Sequence, residues 1–258
     1  LYSENDRYWF DVTPNLRREM ESRKQKIGDS EELLPLVKKG VSRVLGSKHL
    51  FAGVHVFTPS ADVPDEYGTG PRLVVLPPSA AYSPAADNLA FQAADDILRK
   101  RGEQPRQKQN RLIFLSSDQD VVGRLLDQSR TLLAWMSILE DFKADRLVYQ
   151  SNQMAEVRRA VDGAEQTVRQ SVRDAYKWLL CPTEEFVDKQ PLRKWEAIQV
   201  SPSAQNLIQE IENKLYEEEW LVTEWSPIHL RSLLSEWYFE DGKNEVNPLK
   251  VYQDTCHY

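Results

Sequence analysis

The chain has 258 residues, 41% of them hydrophobic and 28% charged, with a formal net charge of −7. That length supports one large domain, or one domain and a small satellite, and the composition excludes a disordered chain. The acidic balance argues against a free nucleic-acid binder but leaves room for a local basic patch.

The opening, Leu1 to Phe10, has an apolar start, a polar turn and an aromatic run, the pattern of a hairpin end. With no initiator Met before it, this opening is expected to be a cut from a larger protein. Pro14 to Ile27 predicts a charged helix capped by Thr13, with Arg17, Arg18, Arg23, Lys24 and Lys26 on its outer face. A solvated face with internal charge pairs and a polyanion contact both fit it. Ser30 to Leu45 predicts a second helix, with Leu33, Leu34, Val37, Val41, Val44 and Leu45 in a stripe and Gly46 as its stop.

Phe51 to Phe57 alternates as a short strand. Thr58 to Pro71 is a loop, and its Gly68-Thr-Gly70 lacks the Gly-Lys-Ser/Thr of a phosphate loop. Arg72 to Leu76 is apolar after its first residue, as in a strand covered on both faces. A helix over 85–101 follows, with Ser83 as cap and Ala90, Ala94, Ile97 and Leu98 inward. Arg99, Lys100, Arg101, Arg106, Lys108 and Arg111 then form a basic segment. They complement a helix dipole, contact a polyanion, or dock a partner chain.

Arg111 to Ser117 is a buried strand, and Ser116-Ser117-Asp118 gives N-cap chemistry to the next helix. Strand, turn and helix is also where doubly wound folds place ligand groups. The helix is expected to bury Val122, Leu125, Leu126, Leu132, Leu133, Trp135 and Met136. A long helix is predicted over 141–177, with Leu147, Met154, Val157, Val161, Ala164, Val168 and Ala175 as a heptad seam for packing or self-association. Tyr176 to Cys181 and Trp195 to Val200 read as strands joined by an irregular acidic connection through Pro182 and Pro191. Helices are expected over 203–219 and from Ser226-Pro227 on, the latter burying Leu230, Leu233, Leu234, Trp237 and Tyr238. Asp241-Gly242 reads as a turn before a last helical turn or two.

The expected fold is α/β. A mostly parallel or mixed sheet of about five strands carries helical cover, one long helix and a small helical, winged-helix-like C-terminal subdomain packed by Trp220, Trp225 and Trp237. Residues 1–46 are read as a hairpin end with helices continuing an upstream module, 47–202 as the α/β domain, and 203–258 as the helical subdomain.

Chemistry is hard to find. His49, His55, His229 and His257 stand apart, and no His or Cys pair has metal-ligand spacing. No nucleophile elbow occurs. Asp95-Asp96 or Asp118 with Asp120 would hold Mg²⁺ only if the fold converged them, which is the basis of an alternative nuclease or nucleotide-hydrolysing reading. No residue is assigned a catalytic, cofactor or metal role. The two cysteines, Cys181 and Cys256, make no disulfide framework and fit a reduced, cytoplasmic setting. No run reaches the ~18 apolar residues of a membrane span.

Several segments, taken together and in order, resemble one family. They are Asp6-Arg-Tyr-Trp-Phe10, Thr13-Pro-Asn-Leu-Arg-Arg18, Arg72-Leu-Val-Val-Leu-Pro77, Asn110-Arg-Leu-Ile-Phe-Leu115, Leu133-Ala-Trp-Met-Ser-Ile138, Tyr176-Lys-Trp-Leu-Leu180 and Ile228-His-Leu-Arg-Ser-Leu-Leu234. They look like the C-terminal region of large prokaryotic P-loop ATPases carrying the domain of unknown function numbered four hundred and ninety-nine. Such proteins are often encoded beside DNA methyltransferases in anti-phage or restriction-like clusters. The resemblance implies an ATPase module upstream of Leu1, which would bind ATP and Mg²⁺, with no cofactor in this region. It implies a non-catalytic accessory role that couples the ATPase to DNA or to a methyltransferase. A structural oligomerisation module built on 147–175 is a third reading.

Overall fold

The computed structural model describes residues 2–4, 7–9, 15–66, 70–84, 88–144, 151–187, 190–201, 206–221, 226–239 and 245–251. In chain order the main elements are β1 (Tyr2–Glu4), β2 (Arg7–Trp9), α1 (Leu16–Lys24), α2 (Leu34–Leu45), β3 (Gly53–Val56), β4 (Arg72–Val75) and α3 (Leu89–Arg99). Then come β5 (Lys100–Arg101), β6 (Gln104–Pro105), β7 (Leu112–Ser117), α4 (Gln119–Lys143), α5 (Ser151–Ala175), β8 (Tyr176–Val187), β9 (Gln190–Gln199), α6 (Leu207–Glu217) and α7 (Pro227–Trp237). Thr13, Pro14, Gly68, Leu147, Trp225, Asp241, Gly242, Cys256 and His257 lie outside the described residues. Contacts divide the chain into two compact units, Leu1–Val44 with Asp120–Ala175, and Leu45–Gln119 with Tyr176–Tyr258.

The first unit is a β1–β2 hairpin and four main helices. The hairpin is antiparallel, as the opening residues predict. The cap of α1 is Asn15, not Thr13: its side chain accepts from the Arg17 and Arg18 amides at 3.1 and 3.2 Å. Asn competes with Thr for this position because its carbonyl reaches the N2 and N3 amides. Arg23 pairs with Glu19 and with Asp141, both at 2.7 Å, and Lys24 pairs with Asp127 at 2.9 Å. A π-helical turn over Asp29–Leu33 leads into α2; Leu33 of the turn and Val37, Val41 and Leu45 of α2 are buried. Gly46 ends it at φ +73°, a conformation only glycine takes without strain.

Helix α2 lies close to α5: a β-carbon on Gly40 would sit 3.5 Å from Val172 and 3.9 Å from Val168. The single helix expected over 141–177 is not formed. α4 ends at Lys143, α5 runs Ser151–Ala175, and Tyr176 and Lys177 already belong to β8. The local period shows where helix is favourable; it does not show where a strand ladder takes over. Val157, Val161, Val168, Val172 and Ala175 are buried along α5. On α4, Val122, Leu125, Leu132, Ala134, Ile138 and Phe142 are buried, whereas Met136 is exposed.

The second unit holds a five-stranded mixed sheet in the order β3-β4-β7-β8-β9. β3, β4 and β7 are parallel; β8 and β9 are antiparallel additions. The apolar runs at Leu73–Leu76 and Leu112–Leu115 are buried throughout, the pattern of central parallel strands. Val74, Leu76, Leu112, Phe114 and Leu180 pack with Ala90, Ala94 and Leu98 of α3. α3 starts at Leu89, capped by Asn88 and not by Ser83. Asn88 accepts from the Ala90 amide and donates to the Ser83 carbonyl at 2.6 Å, so Ser83 supports the cap from outside the helix.

Pro182 and Pro191 lie within β8 and β9, not in an irregular connection. The two strands form one long hairpin, with Pro182 opposite Trp195 and Pro191 opposite Phe186. Prolines are tolerated because β7 pairs with β8 only over Tyr176–Leu180, so Pro182 has no ladder donor to supply on that side, and Pro191 lies on an edge strand. α6 buries Leu207, Ile208, Ile211 and Leu215, and Glu212 accepts from the Leu50 amide at 2.8 Å. α7 is capped by Ser226, as Ser226-Pro227 predicts. Its expected core is not formed: Leu230, Leu233, Leu234, Trp237 and Tyr238 are exposed or half-buried.

Candidate functional site

The basic segment read from sequence does not form one surface. Arg106 is only 3% exposed. Its guanidinium donates to the carbonyls of Ile97 and Pro64, both at 2.9 Å, and of Val63 and Ser60 at 3.1 and 3.3 Å. Four acceptors satisfy a planar fork that lysine could not replace. Burial, and after it the neighbouring Arg101 and Arg72, lowers the Arg106 pKa, while Asp65 opposes them. It remains a cation, because arginine is not deprotonated in proteins.

Lys108 is 4% exposed, and the Gln107 and Lys108 amides both donate to Asp65 at 2.8 Å. Arg111 donates to the Gly70 carbonyl at 2.7 Å. Arg101 donates to the Ala61 carbonyl at 3.3 Å, and Arg99 pairs with Asp95 within α3. Lys100 is exposed on the short β5–β6 hairpin. The segment is therefore folded onto the Ser60–Glu66 turn: of the six candidates Arg106 and Lys108 are turned inward, Arg111 is half-buried, and Arg99, Lys100 and Arg101 are exposed. Asp65, the acceptor that organises this fold, carries no signal in the sequence beyond following Pro64.

The carboxylates of the alternative reading are separately engaged. Asp118 Oδ2 meets Lys177 Nζ at 3.0 Å and accepts from Trp178 Nε1 at 2.9 Å. Asp120 is exposed in the first turn of α4. Asp95 faces Arg99 and, at 3.7 Å, Arg193. Among the described residues no group of three His, Cys, Asp or Glu stands close enough to hold a metal. Burial first, and then the Glu196 carboxylate, pushes the Cys181 thiol up to about 12, which leaves it un-nucleophilic at neutral pH. An open concavity of about 430 Å³ lies between Asn15, Arg17, Arg18, Met20, Glu21 and Trp135. The Arg17 and Arg18 amides at its helix end are already taken by Asn15, which weakens it as an anion cradle.

The aromatic residues that sequence reading assigned to core packing divide in two. Tyr82 sits 4.5 Å from Trp178 ring to ring, and Phe91 stacks on Trp195 at 5.7 Å, beside the sheet. Trp237 of α7 is 69% exposed and Ile228 is 84% exposed. Nine positions apart on a helix, these two point to opposite sides. Ile228 falls off the Leu230, Leu233, Leu234, Trp237 stripe, and that misfit is the sequence signal for a helix with apolar groups on two faces.

No family model matches the chain, and neither the curated proteins nor the solved structures yield a match.

Proposed function

We propose that the chain is a non-catalytic interaction region of a larger cytoplasmic prokaryotic P-loop ATPase of the kind its segments resemble. In this reading the upstream module uses ATP and Mg²⁺, and α7 docks a DNA methyltransferase encoded with it. The contact is with protein; DNA is not bound directly here.

What carries the reading is α7. It has 11 residues, none of them buried, with Ile228 and Trp237 open on opposite sides. A helix this short is marginal in water on its own and depends on tertiary packing of an apolar face. Leu233 and Leu234 are half-covered, but Ile228 and Trp237 stand open, and a partner protein is the natural cover for them. The inward folding of Arg106 and Lys108 weakens the DNA reading. The buried seam of α5 weakens self-association through 147–175, because Val157, Val161 and Val168 are already covered within one chain. The Lys177 and Trp178 contacts of Asp118 lend nothing to the nuclease reading.

The test uses the full-length ATPase with the methyltransferase encoded beside it. Light scattering is expected to show a complex that Ile228→Asp with Trp237→Asp abolishes. Fluorescence anisotropy of this chain with duplex DNA should show no salt-sensitive binding. A complex untouched by the double variant, or steep salt-dependent DNA binding, overturns the proposal.

A further inference from the structure

β9 closes one side of the five-stranded sheet and β3 the other. β3 has 4 residues and β9 has 10. Natural sheets keep open edges short or cover them, so the long β9 edge is the one that calls for a partner. Among the described residues no strand pairs with the outer side of β9. The chain that leaves β9 goes to the opposite edge: Glu212 of α6 accepts from the Leu50 amide, just before β3.

The ladder decides which backbone groups face outward. The Val200 amide donates to the Lys177 carbonyl at 2.7 Å, one step beyond the pairing of Trp178 with Gln199. Backbone groups alternate sides along an antiparallel strand, so Lys194, Glu196 and Ile198 turn theirs to β8. Arg193, Trp195, Ala197 and Gln199 turn theirs to the open side. Pro191 falls in the outward set, where its missing N–H costs the β8–β9 ladder nothing. The side chains stand on the two faces of the sheet. On one, Trp195 stacks on Phe91 at 5.7 Å and Arg193 faces Asp95 at 3.7 Å. On the other, Lys194 and Glu196 are exposed.

We infer that β9 pairs antiparallel with β9 of a second copy of this chain, about a two-fold axis at Trp195, so that two sheets become one. In that register Trp195 exchanges N–H and C=O with Trp195 of the second copy, and Arg193 does so with Ala197. Lys194 then stands opposite Glu196 of the second copy, and symmetry repeats the pair. Charge also fixes the register. A slip one way sets Lys194 against Lys194, and a slip the other way sets Glu196 against Glu196, both repulsive. Lys194-Trp195-Glu196 is its own complement when read antiparallel, which makes a second copy the occupant. The inference does not rest on the partner assigned to α7.

Sedimentation equilibrium of the chain, from about 1 to about 200 µM, tests it. Edge pairing buries less than the roughly 1,200 Å² at which stable interfaces begin, so monomer and dimer should exchange within this range. The mass is expected to rise from 29.9 kDa towards twice that value. Glu196→Lys sets lysine against lysine at both cross-copy pairs and should weaken dimerisation about tenfold. Lys194→Glu combined with Glu196→Lys restores opposite charges and should recover the native constant to within about threefold. A monomer throughout the range overturns the inference. So does a dimer that E196K leaves intact, as one held through α7 would be, or one that the charge exchange fails to restore. Should the exchanged variant misfold, amide exchange on the native chain decides. Protection of the Arg193, Trp195 and Ala197 amides that rises with concentration supports the pairing, and protection that does not change overturns it.

Discussion

The segment from Arg99 to Arg111 and the helix α7 lie in the same unit and treat their side chains in opposite ways. In the first, one arginine, Arg106, is nearly sealed from water. In the second, the largest apolar groups face it. Burying an arginine is unfavourable unless its donors are met, and here four carbonyls meet them. Exposing Ile228 and Trp237 forgoes about 1.5–3 kcal/mol for each apolar side chain that burial would gain. Arg106 has thus completed its contacts inside the chain, and the apolar groups of α7 have not. Interaction capacity follows unmet contacts and not charge, which moves the candidate surface from the basic segment to α7.

The strongest way to break this comparison is Arg106→Ala. Removal leaves the Ser60, Val63, Pro64 and Ile97 carbonyls without their shared donor. The expected loss is about 3 kcal/mol, the scale of hydrogen bonds to a buried charged group. Arg106→Lys should recover little of it, because an ammonium cannot reach four acceptors in a fixed fork. Urea denaturation reads both. A cost under about 1 kcal/mol for R106A would mean that the segment is a surface strap and that its cations are available after all.

Asp118→Ala comes next, at about 2 kcal/mol, since Lys177 and the Trp178 N–H lose an acceptor at a half-buried site. Asp118→Asn should cost less by keeping the Trp178 bond. The same variant sharpens the enzyme question: a Mg²⁺-dependent hydrolysis lost in D118A without loss of fold would return the site to chemistry. A smaller effect, about 1 kcal/mol, is expected for Gly102→Ala. Gly102 has φ +60°, and a β-carbon there would meet Ala61 at 3.3 Å, so the β5–β6 turn would pull away from the Ser60–Glu66 turn. Thermal unfolding followed by circular dichroism resolves a shift of that size.

Much of the architecture is legible because local pattern and long-range role coincide there. Leu73–Leu76 and Leu112–Leu115 are apolar at consecutive positions, which only a strand covered on both faces requires. The α2 stripe and the Ser226-Pro227 start of α7 are equally local. The caps fall at Asn15 and Asn88, beyond Thr13 and Ser83, because several competent side chains stand near each helix start and only the path of the chain selects among them. The Tyr176–Gln199 hairpin is hidden by Pro182 and Pro191, whose tolerance depends on where β7 stops pairing. The basic segment misleads for the same reason. Composition does not distinguish Arg106 from Arg101, or Lys108 from Lys100. Acceptors some 40 residues earlier, at Ser60 to Asp65, decide which of these cations turn inward.

The smallest stability effect carries the most weight for function. Ile228→Ser and Trp237→Ser replace side chains that already stand in water, so each is expected to change unfolding free energy by less than about 0.5 kcal/mol. Against a bound partner the same changes should weaken affinity by about 2 kcal/mol or more, the scale of an aromatic or aliphatic anchor lost from an interface centre. Denaturation of the chain alone and titration of the partner therefore move apart for α7, whereas for Arg106 they move together, because unfolding the segment disturbs everything built on it. If Trp237→Ser instead destabilises the isolated chain by about 3 kcal/mol, the helix is a core element of its own unit and the contrast with the basic segment disappears.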